Sequence, residues 1–95
     1  MTYLDDIAQT IRESVDPNVG VPGESDDLFR LYAVLSLVKG ESVTARDVHD
    51  AWVAWMQTKG EEHESMIPFD SLDASTRAED KPFVDAIHRA VRRTS

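Results

Sequence analysis

The feature that most constrains the fold is the recurrence of apolar residues at helical spacing in four segments, which Pro, Gly and capping residues separate. In the first segment Thr2 is placed to cap a helix. Its apolar positions repeat every three or four residues: Leu4, Ile7, Ala8, Ile11 and Val15. Residues 16–25 contain two Pro and two Gly and therefore predict a loop. No segment of useful length alternates as a strand does, so the sequence predicts an all-α fold with about four main helices.

Residues 25–60 predict a helical hairpin. Ser25 is placed to cap a second helix over residues 26–39, which Gly40 ends. We expect this to be the most buried helix, with one side formed by Leu28, Leu31, Tyr32, Leu35 and Val38. Thr44 and Asp47 have the spacing of a capping box, which begins a third helix that ends before Gly60. Its inward residues are predicted to be Val48, Ala51, Trp52, Trp55 and Met56.

Residues 61–95 predict an acidic loop, an irregular turn segment that contains Pro68, and a last helix. Met66, Ile67 and Phe69 are expected to pack in the core, followed by short helical turns over residues 70–78. Asp80 is placed to cap the last helix and Pro82 lies in its first turn, where a missing N–H costs nothing. Its apolar face is Phe83, Ala86, Ile87, Ala90 and Val91, and its end carries Arg89, Arg92 and Arg93, which complement the helix dipole.

Length and composition favour one small domain over residues 1–95. The chain has no Cys, which excludes disulfides, thiolate zinc sites and cysteine nucleophiles. Its beginning is acidic and lacks the apolar core of a secretory signal, and no apolar run approaches the ~18 residues of a membrane span. We therefore expect a soluble protein of the cytoplasm.

The charge is strongly negative and unevenly distributed. The net charge is −8, and residues 61–80 hold seven acids and one Arg. The electrostatic field of this negative charge repels the phosphates of nucleic acids, so nucleic-acid binding is disfavoured. Six of these acids are predicted to form a face that steers the protein toward a basic surface: Glu61, Glu62, Glu64, Asp70, Asp73 and Glu79.

The sequence offers no recognisable apparatus for catalysis. His49, His63 and His88 are scattered over three elements and form no metal-binding spacing with carboxylates. The four Gly are isolated from one another, and no GxSxG motif occurs. We therefore expect no enzyme activity, no metal and no cofactor.

A helix-turn-helix is an alternative interpretation of the hairpin. Thr44 would begin the recognition helix and Arg46 would be its only early base-reading residue. Asp47 and Asp50 on the same helix would face phosphate oxygens. Four basic residues would have to overcome the repulsion between DNA and the excess negative charge of the protein: Arg30, Lys39, Arg46 and Lys59.

The two tryptophans belong either to the hydrophobic core or to a surface that recognises a partner or ligand. Trp52 and Trp55 are three residues apart on a helix with ~3.6 residues per turn, so they do not point in the same direction. One of them is expected to reach the surface, where aromatic side chains are enriched in binding hot spots.

Residues 45–91 resemble the ryanodine-receptor repeat (RyR) domain. The likeness lies in Trp52, His63, Ile67-Pro68-Phe69, Leu72, Arg77 and Asp80-Lys81. The family pattern is a tryptophan helix, then His-Pro-x-Leu-Val-Pro-Tyr, a leucine, and a basic-x-x-Asp-Arg/Lys start of the last helix. Glu64 stands where the family has proline, Phe69 stands where it has tyrosine, and the family's Gly-Trp-x-Tyr-Gly segment is missing. The chain as a whole is also similar in style and length to small proteins encoded by actinobacterial phages.

These resemblances imply a non-catalytic recognition module. The leading hypothesis is a phage-encoded protein that docks on a host protein in the host cytoplasm. The alternative is capture of a nucleotide-derived small molecule, with Arg77 and Lys81 as phosphate-binding groups. The residues expected to bind the ligand or partner are Trp52, Trp55, His63, Phe69, Arg77 and Lys81. A symmetric homodimer through the second helix or Trp55 is a further hypothesis.

Overall fold

The sequence boundaries of the helices are reproduced closely in the structure, a computed structural model that describes residues 2–94. Its four main helices are α1 (Tyr3–Ser14), α2 (Asp26–Lys39), α3 (Ala45–Thr58) and α5 (Lys81–Thr94), with a short α4 (Ala74–Ala78) before the last. Single 3-10 turns follow at Gly40–Ser42 and Phe69–Ser71. Residues 2–94 contain no strand, so the all-α prediction is confirmed. Met1 and Ser95, the ends of the predicted domain, lie outside the described residues.

Capping residues and glycines set these boundaries. The Asp47 N–H donates to Thr44 Oγ1 at 3.4 Å, and the Thr44 N–H donates to Asp47 Oδ2 at 2.9 Å, which is the predicted capping box. Gly40 and Gly60 follow α2 and α3 at φ of 54° and 72°, a backbone region that glycine enters without steric cost. The predicted turns after Pro68 are also confirmed, because Asp73 accepts from the Thr76 N–H at the start of α4.

The core lies where α1, α2, α3 and α5 meet. Its largest fully buried side chains come from all four helices: Tyr32, Phe29, Ile11, Leu28, Ile87 and Val48. The rings of Phe29 and Tyr32 pack edge to face with centroids 5.3 Å apart. The Cα radius of gyration is 12.7 Å, close to the roughly 12.4 Å expected of a compact domain of this length.

The prediction for the end of α2 was wrong. Val38 is 74% exposed and Leu37 is 56% exposed, whereas the predicted Leu35 is partly buried against the core and the buried residues are Leu28, Phe29, Tyr32 and Ala33. Asp5, near the beginning of α1, already pairs with Arg30 of α2. Because α1 and α2 run antiparallel, the last turns of α2 extend past the beginning of α1 and have no helix there to cover them.

The prediction for the turn segment was partly wrong. Met66 is partly buried against the core, but Ile67 is 42% exposed and Phe69 is only partly buried. Leu72 is buried instead. The backbone of this segment is held at α3 by the Ile67 carbonyl, which accepts from His49 Nε2 at 2.7 Å, and the Ile67 side chain remains exposed.

Candidate functional site

A cavity of about 220 Å³ lies between the α1–α2 loop, α2, α3, the loop after α3 and the start of α5. Gly20 and Pro22 of the first loop and His63 and Ser65 of the second line its edges. The walls come from Tyr32 of α2, Trp52 of α3 and Phe83 of α5, among others. Five separate stretches of the chain therefore converge on one concave site, in which three of the twelve lining residues are Tyr, Trp or Phe.

Trp52 forms the centre of an aromatic cluster in this cavity. The His49 ring stacks on it, with centroids 5.8 Å apart and planes at 29°. The His63 ring meets it edge-on, at 5.4 Å and 85°. Trp52 is partly buried, so one part of the indole packs on the protein and another part is open to a ligand.

His49 holds this cluster in place. Its side chain is buried, and Nε2 lies 2.7 Å from the Ile67 carbonyl oxygen. A carbonyl oxygen can only accept, so Nε2 carries the hydrogen. The bond fixes the plane of the imidazole against which Trp52 stacks.

Asp80 brings a carboxylate into the cavity. Its Oδ2 is shielded from solvent and has no hydrogen-bond partner within residues 2–94. Burial raises the pKa of Asp80 to about 6; His49 lowers this pKa and the neighbouring Glu79 raises it. Burial, together with the charge of Asp80, also raises the pKa of Tyr32. Asp80 is therefore a carboxylate whose ionised form is poorly compensated in the free protein.

The predicted ligand-binding residues divide between the cavity and other places. Trp52 and His63 line the cavity. Trp55 is buried in the core, with the Lys59 Nζ 4.1 Å from its ring centroid. Phe69 lies behind His49, with ring centroids 6.1 Å apart.

The two predicted phosphate-binding residues do not line the cavity. Arg77 donates from Nη2 to the Asp70 carbonyl at 2.7 Å and from Nε to the Phe69 carbonyl at 3.2 Å. Lys81 pairs with Asp85 at 2.9 Å on the exposed side of α5. Both cations therefore have structural partners of their own.

The predicted acidic face is likewise divided. Glu61, Glu62 and Glu64 are exposed in the loop after α3, and Glu61 lies 3.5 Å from Lys59. Asp70 forms two hydrogen bonds with Arg46, which lower the pKa of Asp70, and Asp73 caps α4. Glu79 lines the cavity. Three of the six acids thus remain together as an exposed patch.

The sequence profile of a family described as a domain of unknown function, DUF7701, matches residues 2–92. The chain belongs to the DUF7701 family. A comparison with curated proteins gave no match, and a comparison with solved structures gave none. The likeness of residues 45–91 to the RyR domain stays a prediction. Because the DUF7701 description assigns no function, the function has to be argued from the site.

His49, Tyr32 and Asp80 are the site residues that the sequence analysis of this DUF7701 member missed. His49 and Trp52 are three residues apart on a helix, and this spacing places their side chains next to each other. The pairing of the two rings could therefore have been predicted from the sequence. Asp80 was interpreted as a helix cap and as part of the resemblance to the RyR domain, and not as a residue of a binding site. Its side-chain oxygen is unpartnered because the α1–α2 loop, α2 and α3 close around it, which no local pattern reveals.

Within residues 2–94, no group of three or more His, Asp or Glu side chains is placed to hold a metal ion. None of the helices in this range is both long enough and apolar enough to cross a bilayer.

Proposed function

We propose that the protein is a non-catalytic binding module that holds a small organic molecule in the cavity around Trp52 and Asp80. The observation that carries the proposal is the combination, in one concave site, of an aromatic wall with a buried carboxylate oxygen that has no partner. Ligand sites are typically apolar clefts with a few polar groups that orient the ligand. A buried polar atom without a partner is costly, and a ligand that supplies a donor removes the cost.

The site is rigid enough to act as a preformed receptor. Trp52 contacts the rings of both His49 and His63. His49 is bound to the Ile67 carbonyl, and the His63 Nδ1 accepts from the Ser65 N–H at 3.0 Å. Side chains that are already ordered lose little entropy when a ligand binds, which favours affinity.

The size of the cavity favours a compact ligand. Its volume of about 220 Å³ lies below the ~300 Å³ at which typical drug-sized sites begin. Neither Arg nor Lys lines it. A nucleotide whose phosphates bind Arg77 and Lys81 is therefore less well supported than a small molecule without phosphate.

A fragment screen followed by protein NMR tests the proposal. We expect at least one small polar aromatic or aliphatic compound to shift the Trp52 indole signal saturably. A ligand at a hundred times its Kd should stabilise the fold by ~2.7 kcal/mol. Trp52→Leu should abolish the stabilisation, whereas Tyr3→Leu, an aromatic-to-leucine change at an exposed position of α1, should retain it. If no compound of the screen perturbs the residues of the cavity, the proposal is wrong.

A second candidate function is docking on a partner protein, which is favoured by the exposed end of α2. Val34, Leu37 and Val38 share one face of this helix and are all exposed. The acidic patch of Glu61, Glu62 and Glu64 is a second exposed feature. A partner with a basic and apolar surface, such as a host protein, would match these two features.

Two double variants test the docking function. Leu37→Gln combined with Val38→Ser should weaken capture of the partner, and Glu61→Gln combined with Glu62→Gln should slow it, most visibly at low salt. Trp52→Leu should leave capture unchanged, because Trp52 lies in the cavity. Capture that survives both double variants would contradict docking through these surfaces, and sizing chromatography of the wild type would show whether the partner is a second copy.

The helix-turn-helix interpretation receives less support. The four basic residues that it requires each lie in an ion pair: Arg30 with Asp5, Lys39 with Asp47, Arg46 with Asp70, and Lys59 with Glu61. These pairs would have to open before the cations could contact phosphates. A retardation assay with random duplex DNA at low salt checks this directly, because phosphate binding weakens steeply as salt rises.

A further inference from the structure

We infer that the ligand of the cavity is an organic cation, specifically a protonated amine carried on a compact apolar group. This inference rests on the proposed function and names the chemical class that the site would select. It is argued from the charges that line the cavity, the unpartnered oxygen of Asp80 and the aromatic wall.

The charges around the cavity favour a cation. Glu79 and Asp80 line it, and no Lys or Arg does. Two cations are close to the cavity residues in the sequence: Arg77 donates to the backbone carbonyl of Asp70, and Lys81 pairs with the carboxylate of Asp85. An anionic ligand would meet two carboxylates in a partly desolvated site, where like charges repel more strongly than in water.

Asp80 lines the cavity, and its Oδ2 lies beneath the surface without a donor. Asp80 Oδ2 accepts nothing within residues 2–94, and an ionised carboxylate can only accept. A hydrogen bond from an ammonium group to a carboxylate is about twice as strong as one between neutral groups. An amine in the cavity therefore compensates the Asp80 carboxylate better than an alcohol or an amide would.

The aromatic wall fits the rest of such a ligand. Trp52, Tyr32 and Phe83 give the cavity three aromatic side chains around the carboxylates. Aromatic side chains attract cations and offer hydrophobic surface to the apolar part of such a ligand. The site thus combines carboxylates, which favour a cation, with aromatic side chains, which favour an apolar group.

Binding should depend on pH in a defined direction. An amine binds the ionised form of Asp80, whose pKa burial raises to about 6. The other titratable groups that face it are Glu79 after α4, His49 on α3, His63 in the loop and Tyr32 on α2. Affinity should therefore increase by about tenfold from one pH unit below the pKa of Asp80 to well above it.

Benzylamine is a suitable probe, because benzyl alcohol and benzoate have nearly the same shape with neutral and negative groups. Each compound is titrated near neutral pH while the indole N–H signals of the two tryptophans are followed. We expect benzylamine to shift the Trp52 signal saturably and to bind at least about tenfold more tightly than either analogue. Asp80→Asn should reduce this affinity by about tenfold or more, whereas Asp85→Asn, an equal change of charge on the same helix outside the cavity, should not.

The outcomes separate the inference from the function on which it rests. Equal binding of benzyl alcohol or benzoate at Trp52 would overturn the inference that the ligand is a cation. It would still support the proposal that the cavity binds a ligand. Benzylamine binding that Asp80→Asn does not weaken would also overturn it. If none of the three probes, and no compound of the wider fragment screen, perturbs the cavity, then the proposed function itself fails.

Discussion

Asp80 is the residue whose surroundings differ most from those of an isolated side chain. Its carboxyl pKa is raised to about 6 from a usual value near 3.8, mainly by burial. A folded-state pKa above the unfolded one means that the folded protein binds the proton more tightly. The free energy of unfolding therefore falls as the pH rises from about 4 to about 6, where the unfolded chain has lost this proton and the folded chain still holds it.

Asp80→Asn is expected to stabilise the free protein at neutral pH. The shift of about two pKa units corresponds to ~3 kcal/mol at most, and solvent screening at this half-buried position reduces it to about 1–2 kcal/mol. The gain should decrease as the pH falls below about 6 and vanish below about pH 3, where the wild-type carboxyl is protonated in both states. Urea unfolding of both proteins across this pH range measures the difference. A gain that did not depend on pH would contradict the assigned role of ionisation.

His49→Ala is expected to destabilise the protein by about 2–4 kcal/mol. The change removes a buried ring and leaves the Ile67 carbonyl without its donor. The same change at His63, which is exposed, should cost less than about 0.5 kcal/mol. Denaturant midpoints of the two variants provide the comparison, and similar losses at both positions would show that the His49 hydrogen bond is unimportant.

At the scale of elements, the start of α3 has an identifiable local cause. Thr44 and Asp47 form the capping box, and Asp47 also binds Lys39 of α2 at 2.9 Å. The same carboxylate therefore begins one helix and ties it to the end of the preceding one. This arrangement fixes the angle at which α3 presents His49 and Trp52 to the cavity.

Thr44→Ala is expected to reduce the free energy of unfolding by about 1 kcal/mol, the usual cost of a lost N-cap. Ser42→Ala, at an exposed position two residues earlier, should change it by less than about 0.5 kcal/mol. Thermal or urea unfolding measures both. A loss at Thr44 no larger than at Ser42 would mean that packing alone determines where α3 begins.

At the scale of the whole molecule, the end of α5 is attached to the end of α1. Arg89 Nη1 donates to the Ser14 carbonyl at 2.8 Å, and Arg93 Nη1 donates to Ser14 Oγ at 3.1 Å. Ser14 is the last residue of α1 and is buried. The arginines that the sequence indicated as complements of the helix dipole therefore also join two elements that are far apart in the chain.

Arg89→Met is expected to destabilise the fold by about 1–2 kcal/mol, because a carbonyl at the end of α1 loses a charged donor. Lys81→Met removes an exposed pair within α5 and should cost no more than about 0.5 kcal/mol. Urea unfolding of the two variants measures the difference. Equal losses would show that the long-range contact adds nothing beyond a surface ion pair.

The sequence alone determined the elements of this fold. The caps at Thr2, Thr44 and Asp73 and the glycines at 40 and 60 act through hydrogen bonds and backbone angles within a few residues, so local patterns were sufficient to locate them. The periodicity of apolar residues then identified most of the core, since a helix buries residues three or four apart.

Only the tertiary structure decided which apolar residues are exposed and which polar residues form the site. Val38 continues the apolar pattern of α2, yet it is exposed because the last turns of α2 extend past the beginning of α1. Asp80 has the sequence of an ordinary cap, yet one of its oxygens is buried without a partner because elements distant in the chain close around it. Both properties depend on how helices of fixed length overlap in space, and no local sequence pattern specifies that overlap.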